Sequence, residues 1–247
     1  MKNNKTNHYL NSAIYCDNLK IGFGKKKNQK ILIDNFAFNF KPSKVYGIIG
    51  NSGIGKTTLV NHLNGLYRTI SGNIYIKYLQ ILSNQKRIKN IKKIRKDVGF
   101  VFQIPQTQLF KDTIIKDVEF GPRNLSSKEH AHELACMYLR KMRIKENMFD
   151  NSPFILSFGQ QRRVTIAGCM AIEPSIFIFD EPTAGLDPQG IKLIINLIKE
   201  LRENDKTIIL ISHDMNFIFE LCDEVILLHD KKILLSGSSY DVFTHLI

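Results

Sequence analysis

A glycine-rich loop that follows the apolar run VYGII limits the fold of this chain more than any other feature. The loop, GNSGIGKTT, starts at Gly50 and matches the spacing G-x-x-x-x-G-K-[ST]. In this pattern the glycines let backbone N–H groups wrap phosphates, the lysine reaches the β- and γ-phosphates, and the hydroxyl ligates Mg²⁺. A strand, a phosphate-binding loop and a helix are therefore predicted in succession. The loop residues predicted to bind nucleotide are Gly50, Asn51, Ser52, Gly53, Ile54, Gly55, Lys56, Thr57 and Thr58.

Apolar runs elsewhere in the chain alternate with segments of helical spacing. The runs KVYGIIG, SIFIFD, KTIILIS and DEVILLHD are almost continuously apolar, whereas residues 56–67 and 190–204 have helical periodicity. Such runs between helices are typical of a buried, largely parallel sheet. The opening segments AIYCDNLKIGFG and KILIDNFAFNF alternate more and predict an antiparallel edge, and residues 111–172 predict an inserted helical subdomain. An α/β fold of one domain suits the 247 residues.

Polar side chains follow three of the apolar runs. The run IFIFDEPTAGLD places Asp180 and Glu181 after a strand, at the end where ligands of open α/β sheets bind. Asp180 is predicted to hold Mg²⁺ through water, and Glu181 to orient or deprotonate the attacking water. His213 follows TIILIS and is predicted to contact the γ-phosphate. Gln103 follows VGFVF. Glutamine is common after a strand, so this residue taken alone does not indicate a site.

The segment SPFILSFGQQRRVTIAG, residues 152–168, contains a helix start. Ser157 and Gln160 have the capping-box spacing, in which the two side chains satisfy the first free N–H groups of a helix. A helix that begins in this way directs N–H groups and a partial positive charge outward, so it can hold an anion. The local sequence identifies neither the anion nor the subunit to which the anion is bound.

The chain is basic, with a formal net charge of +12, and its cations concentrate in residues 25–30 and 85–96. A solvated lysine-rich face, an anionic membrane surface and nucleic acid are the three interpretations. The second run lacks interleaved aromatic residues, which disfavours a stacking platform for single strands. We favour the solvated face, then the membrane, and expect no nucleic-acid partner.

The expected compartment is the cytoplasm. The longest apolar stretches are far shorter than the roughly 18 residues of a membrane span, and the start MKNNKTNHYLNS has no signal-peptide segment. The cysteines lie far apart, which predicts buried free thiols rather than a disulfide framework or a metal site. They are Cys16, Cys136, Cys169 and Cys222.

The motifs GNSGIGKTT, FQIPQTQLF, LSFGQQRR, IFIFDEPTAGLDP and ISHD occur in the order found in ATP-binding cassette (ABC) ATPases, across essentially the whole chain. The chain most resembles the ATPase subunits of energy-coupling factor transporters, which import vitamins and related micronutrients. DVEFGPRN, HLNGLY and SPFILSFGQQRRVTIAG carry this closer resemblance, and the second of two paralogous ATPases is the better match. The resemblance implies a P-loop NTPase with a RecA-like, mainly parallel core over residues 1–247, with ATP and Mg²⁺ as cofactors.

The resemblance also assigns the anion that the helix start would bind. In such ATPases the signature segment, here LSFGQ (156–160), closes the ATP site of another subunit, so Ser157, Gly159 and Gln160 would contact the partner's γ-phosphate. Gln103 would sense Mg²⁺ and the membrane subunit, and Asp187 would link the two sites. The remaining implied roles are a switch histidine at His213, adenine stacking at Phe23, and Mg²⁺ ligation by Thr57, Gln103 and Asp180.

The sequence departs from the family pattern at two points. Phe158 replaces the first glycine of the usual LSGGQ, and its ring would either narrow the approach to the partner's phosphate or pack sideways. Family members often carry a further C-terminal segment that helps dimerisation, whereas this sequence stops at Ile247. The chain is thus expected to be naturally short or to dimerise through the nucleotide sandwich alone.

The implied partners are a second ABC ATPase, an integral membrane coupling subunit and substrate-binding membrane subunits. A heterodimer with a paralogue is implied rather than a homodimer, on the cytoplasmic side of the cell membrane as a peripheral protein. Alternatives are the ATPase of a dedicated cobalt or nickel importer, and a soluble ABC ATPase acting on nucleic acid or ribosomes. A non-hydrolysing regulatory cassette is a further alternative, which the intact Lys56, Asp180 and Glu181 oppose.

Overall fold

The protein is built from two β-sheets and eight α-helices in the part of the chain that the structure describes. The computed structural model describes residues 11–24, 29–77, 79–81 and 91–245, so most of the basic run 25–30 and half of the run 85–96 lie outside the described residues. The strands are β1 (Ile14–Phe23), β2 (Lys30–Phe40), β3 (Val45–Gly50), β4 (Ser71–Ile76), β5 (Leu79–Ile81), β6 (Val98–Val101), β7 (Ile176–Asp180), β8 (Thr207–Ile211), β9 (Glu224–His229) and β10 (Lys232–Ser238). The helices are α1 (Lys56–Leu63), α2 (Ile91–Asp97), α3 (Ile114–Arg123), α4 (Lys128–Lys141), α5 (Phe158–Met170), α6 (Pro188–Glu203), α7 (Met215–Leu221) and α8 (Ser239–Thr244).

The larger sheet has the order β10-β9-β3-β8-β7-β6 and is parallel except for β10. Its four inner strands, β9, β3, β8 and β7, coincide with the four continuously apolar runs. This confirms the predicted parallel core. Every residue of β6, β7 and β8 is buried, because helices or the second sheet cover both faces. The predicted mainly parallel sheet is therefore correct.

The smaller sheet has the order β2-β1-β4-β5, and all its pairs are antiparallel. The predicted antiparallel edge at the start of the chain is thus correct. Strands β1 and β2 alternate between buried and more exposed positions, which is the pattern of a sheet with one face packed on a core.

The larger sheet separates two apolar cores. On β7, Phe177 and Phe179 face the core formed with the helices of residues 114–170 and with α6 and α7. The alternate residues Ile176 and Ile178 face the core shared with α1 and the smaller sheet. Successive side chains of a strand point to opposite faces, so one short apolar strand serves both cores. This double packing holds the ends of the parallel strands in fixed positions.

Residues between β6 and β7 contain only helices and turns within the described range. Helices α3 and α4 begin at N-cap Thr113 and Ser127, whose side chains accept backbone N–H bonds. Helix α5 begins with the complete predicted capping box of Ser157 and Gln160. Helix α1, predicted over residues 56–67, is shorter than expected and ends at Leu63. None of the described helices is both long and apolar enough to cross a membrane.

The cysteines correct one sequence prediction. Cys16, Cys169 and Cys222 are buried free thiols, but Cys136 is partly exposed. Helix α4 turns Ala131, Ala135 and Leu139 to the core, a spacing of four residues that leaves the position after Ala135 on the edge of the buried face. The prediction that Cys136 is buried was therefore wrong. On an amphipathic helix, a shift of one position along the sequence is enough to move a side chain from the buried face to its edge.

Candidate functional site

Four neighbouring parallel strands, β3, β8, β7 and β6, end at the same edge of the larger sheet. The glycine-rich loop of residues 50–58, here the P-loop, follows β3, and His213 follows β8. Asp180 ends β7, and Gln103 follows β6. Together they surround a cleft of about 300 Å³, the nucleotide cleft. Its lining is Leu32, Ser52, Gly53, Gly55, Lys56, Thr57, Thr58, Gln103, Asp180, Glu181, Ile211 and His213.

The P-loop backbone requires glycine where it leaves β3. Gly50 has φ 145°, and a Cβ atom there would lie 2.5 Å from the carbonyl oxygen of Leu228. The following turn brings the Lys56 ammonium back onto the loop, where Nζ donates to the carbonyl oxygens of Gly50 at 2.7 Å and Asn51 at 3.1 Å. Burial lowers the pKa of Lys56, an effect that the charge of Glu181 opposes. The lysine is thus held at the centre of the loop and faces the cleft.

Asp180 presents a buried carboxylate with unused hydrogen-bonding capacity. Its side chain belongs to a residue that is 1% exposed, and neither carboxylate oxygen has a hydrogen-bond partner of ordinary geometry among the described residues. Burial raises the pKa of Asp180, and the hydroxyl of Thr57 offsets this only in part. A carboxylate, a hydroxyl and the amide of Gln103 in one cleft are oxygen donors of the kind that Mg²⁺ prefers. These residues therefore fit the metal that the fold family uses.

Glu181 is held by the residues that follow β8. Its Oε2 atom lies 3.4 Å from the backbone N–H of His213 and 3.5 Å from the hydroxyl of Ser212, and its Oε1 lies 3.5 Å from Nε2 of His213. The Glu181 N–H donates to the carbonyl of Ile211 at 2.9 Å, with φ 51° at Glu181. Sequence reasoning missed Ser212, although a buried polar residue directly after an apolar strand was a usable signal.

Phe23 lies at the end of β1 and does not line the nucleotide cleft. Its ring is 47% exposed and meets Tyr67 edge to face, with centroids 5.8 Å apart and an interplanar angle of 83°. An aromatic pair is therefore present at the end of β1, and adenine stacking on it stays a prediction. Tyr67 was missed, because its position after α1 has no recognisable spacing to Phe23.

The signature segment and Asp187 also lie outside the cleft lining. Ser157 Oγ accepts the N–H of Gln160 at 3.3 Å, and the Gln160 side-chain oxygen accepts the N–H of Ser157 at 3.0 Å. Asp187 caps α6, where its carboxylate accepts the N–H of Gly190 at 2.7 Å. Both helix starts are therefore locally ordered, and neither Ser157 nor Asp187 contributes to the chain's own nucleotide cleft.

The ring of Phe158 packs sideways in this structure. A Cβ atom on Gly185 would lie 2.6 Å from the Phe158 ring, so the ring rests directly on the backbone of Gly185. The guanidinium carbon of Arg162 lies 5.4 Å from the centre of the same ring. Of the two orientations expected from the sequence, the structure has the one in which the side chain packs within its own subunit.

Comparison with known proteins places these features in one family. The ABC transporter family model matches residues 33–184, which contain the P-loop, the signature segment and the acidic pair. The chain belongs to the ABC transporter family. It is 47% identical over 228 residues to the energy-coupling factor transporter ATP-binding protein EcfA2 of Mycoplasma pneumoniae, an alignment that covers 92% of this chain and 75% of the relative. The predicted resemblance to the second ATPase of these transporters is confirmed.

Solved structures of ABC proteins share the fold. CbiO1 of Clostridium perfringens, part of the ABC transporter complex CbiONQ, superimposes with a TM-score of 0.79 at 32% identity, covering 96% of this chain and 92% of that chain. The ATP-binding cassette MJ0796, a dimer in a post-hydrolysis state bound to ADP and Pi, gives a TM-score of 0.82 at 29% identity. That match covers 92% of this chain and 98% of MJ0796. The predicted ABC ATPase fold is therefore correct.

Proposed function

We propose that this ABC protein is the ATP-binding and ATP-hydrolysing subunit of an energy-coupling factor transporter. It would power uptake of vitamins or other micronutrients through separate membrane subunits. The observation that carries the proposal is the convergence of the P-loop, Asp180, Glu181 and His213 on one cleft, in a chain 47% identical to EcfA2. Each of these groups has the chemistry that phosphoryl transfer to water requires.

The chain's own residues support the following division of roles in hydrolysis. Lys56, already directed along the P-loop, binds the β- and γ-phosphates, while Phe23 stacks on the adenine. Thr57, Asp180 and Gln103 hold Mg²⁺, which when bound neutralises phosphate charge. Glu181 orients the attacking water and accepts its proton, because the contacts from Ser212 and His213 keep its carboxylate at the cleft edge. The other P-loop residues contribute backbone N–H groups.

A second ATPase completes the machinery in this proposal. Ser157, Gly159 and Gln160 contact the γ-phosphate bound by the partner, and Asp187 connects the two sites. The dimeric state of MJ0796 supports such an arrangement. ATP binding closes the pair and hydrolysis reopens it, since ATP has a higher affinity for the closed state. A paralogous ATPase is the proposed partner, in a heterodimer.

The membrane subunit is proposed to dock beside Gln103. An apolar groove of about 340 Å³ is lined in part by Phe102 and Gln108 of the same loop, and Leu66, Phe110 and Phe120 in its lining are all more than one-third exposed. Phe110 and Phe120 meet edge to face with centroids 4.9 Å apart, so the groove has a rigid aromatic wall. Exposed aromatic residues of this kind mark protein contacts. We therefore propose a peripheral protein on the cytoplasmic side of the membrane, with residues 111–172 as the helical subdomain that contributes Phe120 to the groove wall.

A dedicated cobalt or nickel importer is the second candidate. The similarity to CbiO1, part of a CbiONQ complex, favours it. The identity of 32% to CbiO1 is lower than the 47% to EcfA2, so the energy-coupling factor assignment is preferred. The cargo depends on the membrane subunits in either case.

The composition of the native complex distinguishes these candidates. The chain is purified from its native membranes in mild detergent, and the co-purifying proteins are identified by mass spectrometry. A second ATPase with one shared membrane subunit and several small binding proteins is expected. A single fixed membrane partner would favour the dedicated metal importer. Recovery without any membrane protein would contradict both and return the soluble ABC ATPase to consideration.

The catalytic assignment is tested by Glu181→Gln in the purified complex. We expect turnover to fall by about 10²- to 10⁴-fold, the usual effect of losing a general base, while ATP binding persists and the dimer stays closed. Lys56→Ala should instead abolish tight ATP binding. The matched control is Glu173→Gln, since Glu173 is exposed and binds only the Tyr138 hydroxyl among the contacts described. Unchanged turnover in Glu181→Gln would refute the assignment.

A further inference from the structure

Arg162 is the largest fully buried side chain among the described residues. It lies on α5, is 0% exposed, and forms no ion pair within the described chain. Burial lowers the pKa of Arg162, and the charges of Asp180 and Glu181 only partly compensate. A buried cation without a contacting carboxylate is costly unless its N–H groups are satisfied. Its position therefore depends on the neutral acceptors around it.

Those acceptors are backbone carbonyls of one loop. Arg162 Nη1 donates to the carbonyl of Phe102 at 2.9 Å, and Nη2 donates to the carbonyl of Gln103 at 2.5 Å. The loop of residues 102–108, here the Q-loop, carries the Gln103 side chain into the nucleotide cleft. Two parallel bonds from a planar guanidinium define both distance and orientation. A shift of the Q-loop away from α5 would thus leave a buried charge unsatisfied.

Phe158 extends this contact to a third segment. Its ring lies over the Arg162 guanidinium at 5.4 Å and rests on the backbone of Gly185, two residues before Asp187. The Nε atom of Arg162 has no hydrogen-bond partner in the described chain. The ring adds a cation–π contact to the buried guanidinium. The signature segment, the Q-loop and the loop before Asp187 are therefore packed around one buried charge.

We propose that Arg162 is a positioning residue that ties the Q-loop to the signature helix, and that Phe158 links both to the loop before Asp187. The inference rests on the proposed function, because it concerns how the chain's own nucleotide cleft communicates with the segment that serves the partner. Displacement of Gln103 on one side would be transmitted to Ser157 on the other through two hydrogen bonds and one ring contact.

The test compares two adjacent arginines on the same helix. Arg162→Met removes the charge and both Q-loop bonds, whereas Arg162→Lys keeps the charge and at most part of the bonding. The matched control for Q-loop order is Arg163→Met, because Arg163 donates to the carbonyls of Met142 and Arg143 and not to those of the Q-loop. Phe158→Leu fills the space over Gly185 without an aromatic face, and it keeps the test available if Arg162→Met does not fold.

Two measurements are made on each variant of the full chain. Hydrogen–deuterium exchange of residues 102–110 reports Q-loop order, and steady-state ATP turnover in the assembled complex separates kcat from KM. For Arg162→Met we expect exchange there to rise about 10-fold and kcat to fall about 10-fold or more, with KM within about twofold. Arg162→Lys and Phe158→Leu should lie between wild type and Arg162→Met, and Arg163→Met should leave residues 102–110 protected.

Two results would overturn the inference. Equal increases in the exchange of residues 102–110 in Arg162→Met and Arg163→Met would show a general loss of packing. Unchanged exchange and kcat in Arg162→Met would show that the bonds to the Q-loop have no functional effect. Failure of the proposed function is recognised separately, since the wild-type complex would then not hydrolyse ATP. In that case the exchange measurement still decides whether Arg162 orders the Q-loop.

Discussion

Replacement of Asp180 by Asn should raise the stability of the nucleotide-free protein while abolishing metal-dependent hydrolysis. Asp180 is 1% exposed, and its carboxylate oxygens have no hydrogen-bond partner of ordinary geometry in the described structure. Burial raises its pKa, so the folded protein opposes the ionised form that the proposed Mg²⁺ site requires. On the proposed function, the carboxylate serves the Mg²⁺ site at the expense of stability.

The expected gain follows from the cost of an unsatisfied buried group. That cost is about 1–3 kcal/mol, and we take about 1–2 kcal/mol here because a buried Asn amide also lacks partners. For a chain of this size 1 kcal/mol shifts the melting temperature by about 2–4 °C, so Asp180→Asn should melt about 2–8 °C higher.

The gain should depend on pH in a defined direction. Because the folded-state pKa of Asp180 is raised, the folded protein binds its proton more tightly than the unfolded chain does. The destabilisation by ionised Asp180 is therefore present above the folded-state pKa. It disappears as pH falls through that pKa toward the unfolded value. The advantage of Asp180→Asn should shrink over the same interval.

The assay is thermal unfolding without nucleotide and with a chelator, from mildly acidic to mildly alkaline pH. Asp223→Asn is the matched control, because Asp223 accepts the N–H of Val45 at 2.8 Å and pairs with Arg202. This variant should lose stability. A melting temperature of Asp180→Asn at or below that of wild type at neutral pH would refute the reasoning. A gain that does not vary with pH would refute the assigned cause.

Three further predictions concern α5 and the cysteines. Ser157→Ala should cost about 1 kcal/mol of stability, because it removes the cap on the Gln160 N–H. It should also slow ATP turnover in the dimer while the chain's own affinity for ATP is unchanged. Thermal unfolding and ATP titration check these expectations. Phe158→Gly should lower steady-state ATP turnover, since its partly exposed ring packs on Gly185 and Arg162 of its own subunit; a rise would show that the ring restricts closure. A maleimide should label Cys136 first in the native chain, because the other three cysteines are buried. Equal labelling of all four, read by peptide mass spectrometry, would contradict that arrangement.

The strands of the larger sheet were predictable because burial on both faces leaves a direct trace in the sequence. Runs such as IFIFD and TIILI have no polar face, so a continuous apolar run was enough to identify β7 and β8. Helix α5 was predictable for a local reason as well, since the capping box joins Ser157 and Gln160 within one turn. The side of α4 that meets the core was not predicted, and the expected burial of Cys136 was wrong.

The residues that line the candidate site were predictable from short motifs, whereas the residues that contact and position them were not. Lys56, Asp180 and Glu181 stand in patterns whose spacing expresses a chemical need. Ser212 and Tyr67 stand in the motifs ISHD and HLNGLY, but neither motif indicates what these residues contact. Their contacts with Glu181 and Phe23 depend on segments that are distant in the sequence.

The sequence by itself determined the local chemistry of this ABC protein: a loop able to wrap phosphates, a pair of carboxylates after a strand, and a capped helix start. Only the tertiary structure decided that β8 lies between β3 and β7, which sets His213 against Glu181. The partners of Arg162, carbonyls 59 and 60 residues earlier, were also decided there. The physical reason is that any two apolar strands can pair and that all backbone carbonyls have the same chemistry. The sequence therefore does not specify which strands pair or which carbonyls accept from Arg162; the packing of distant segments does.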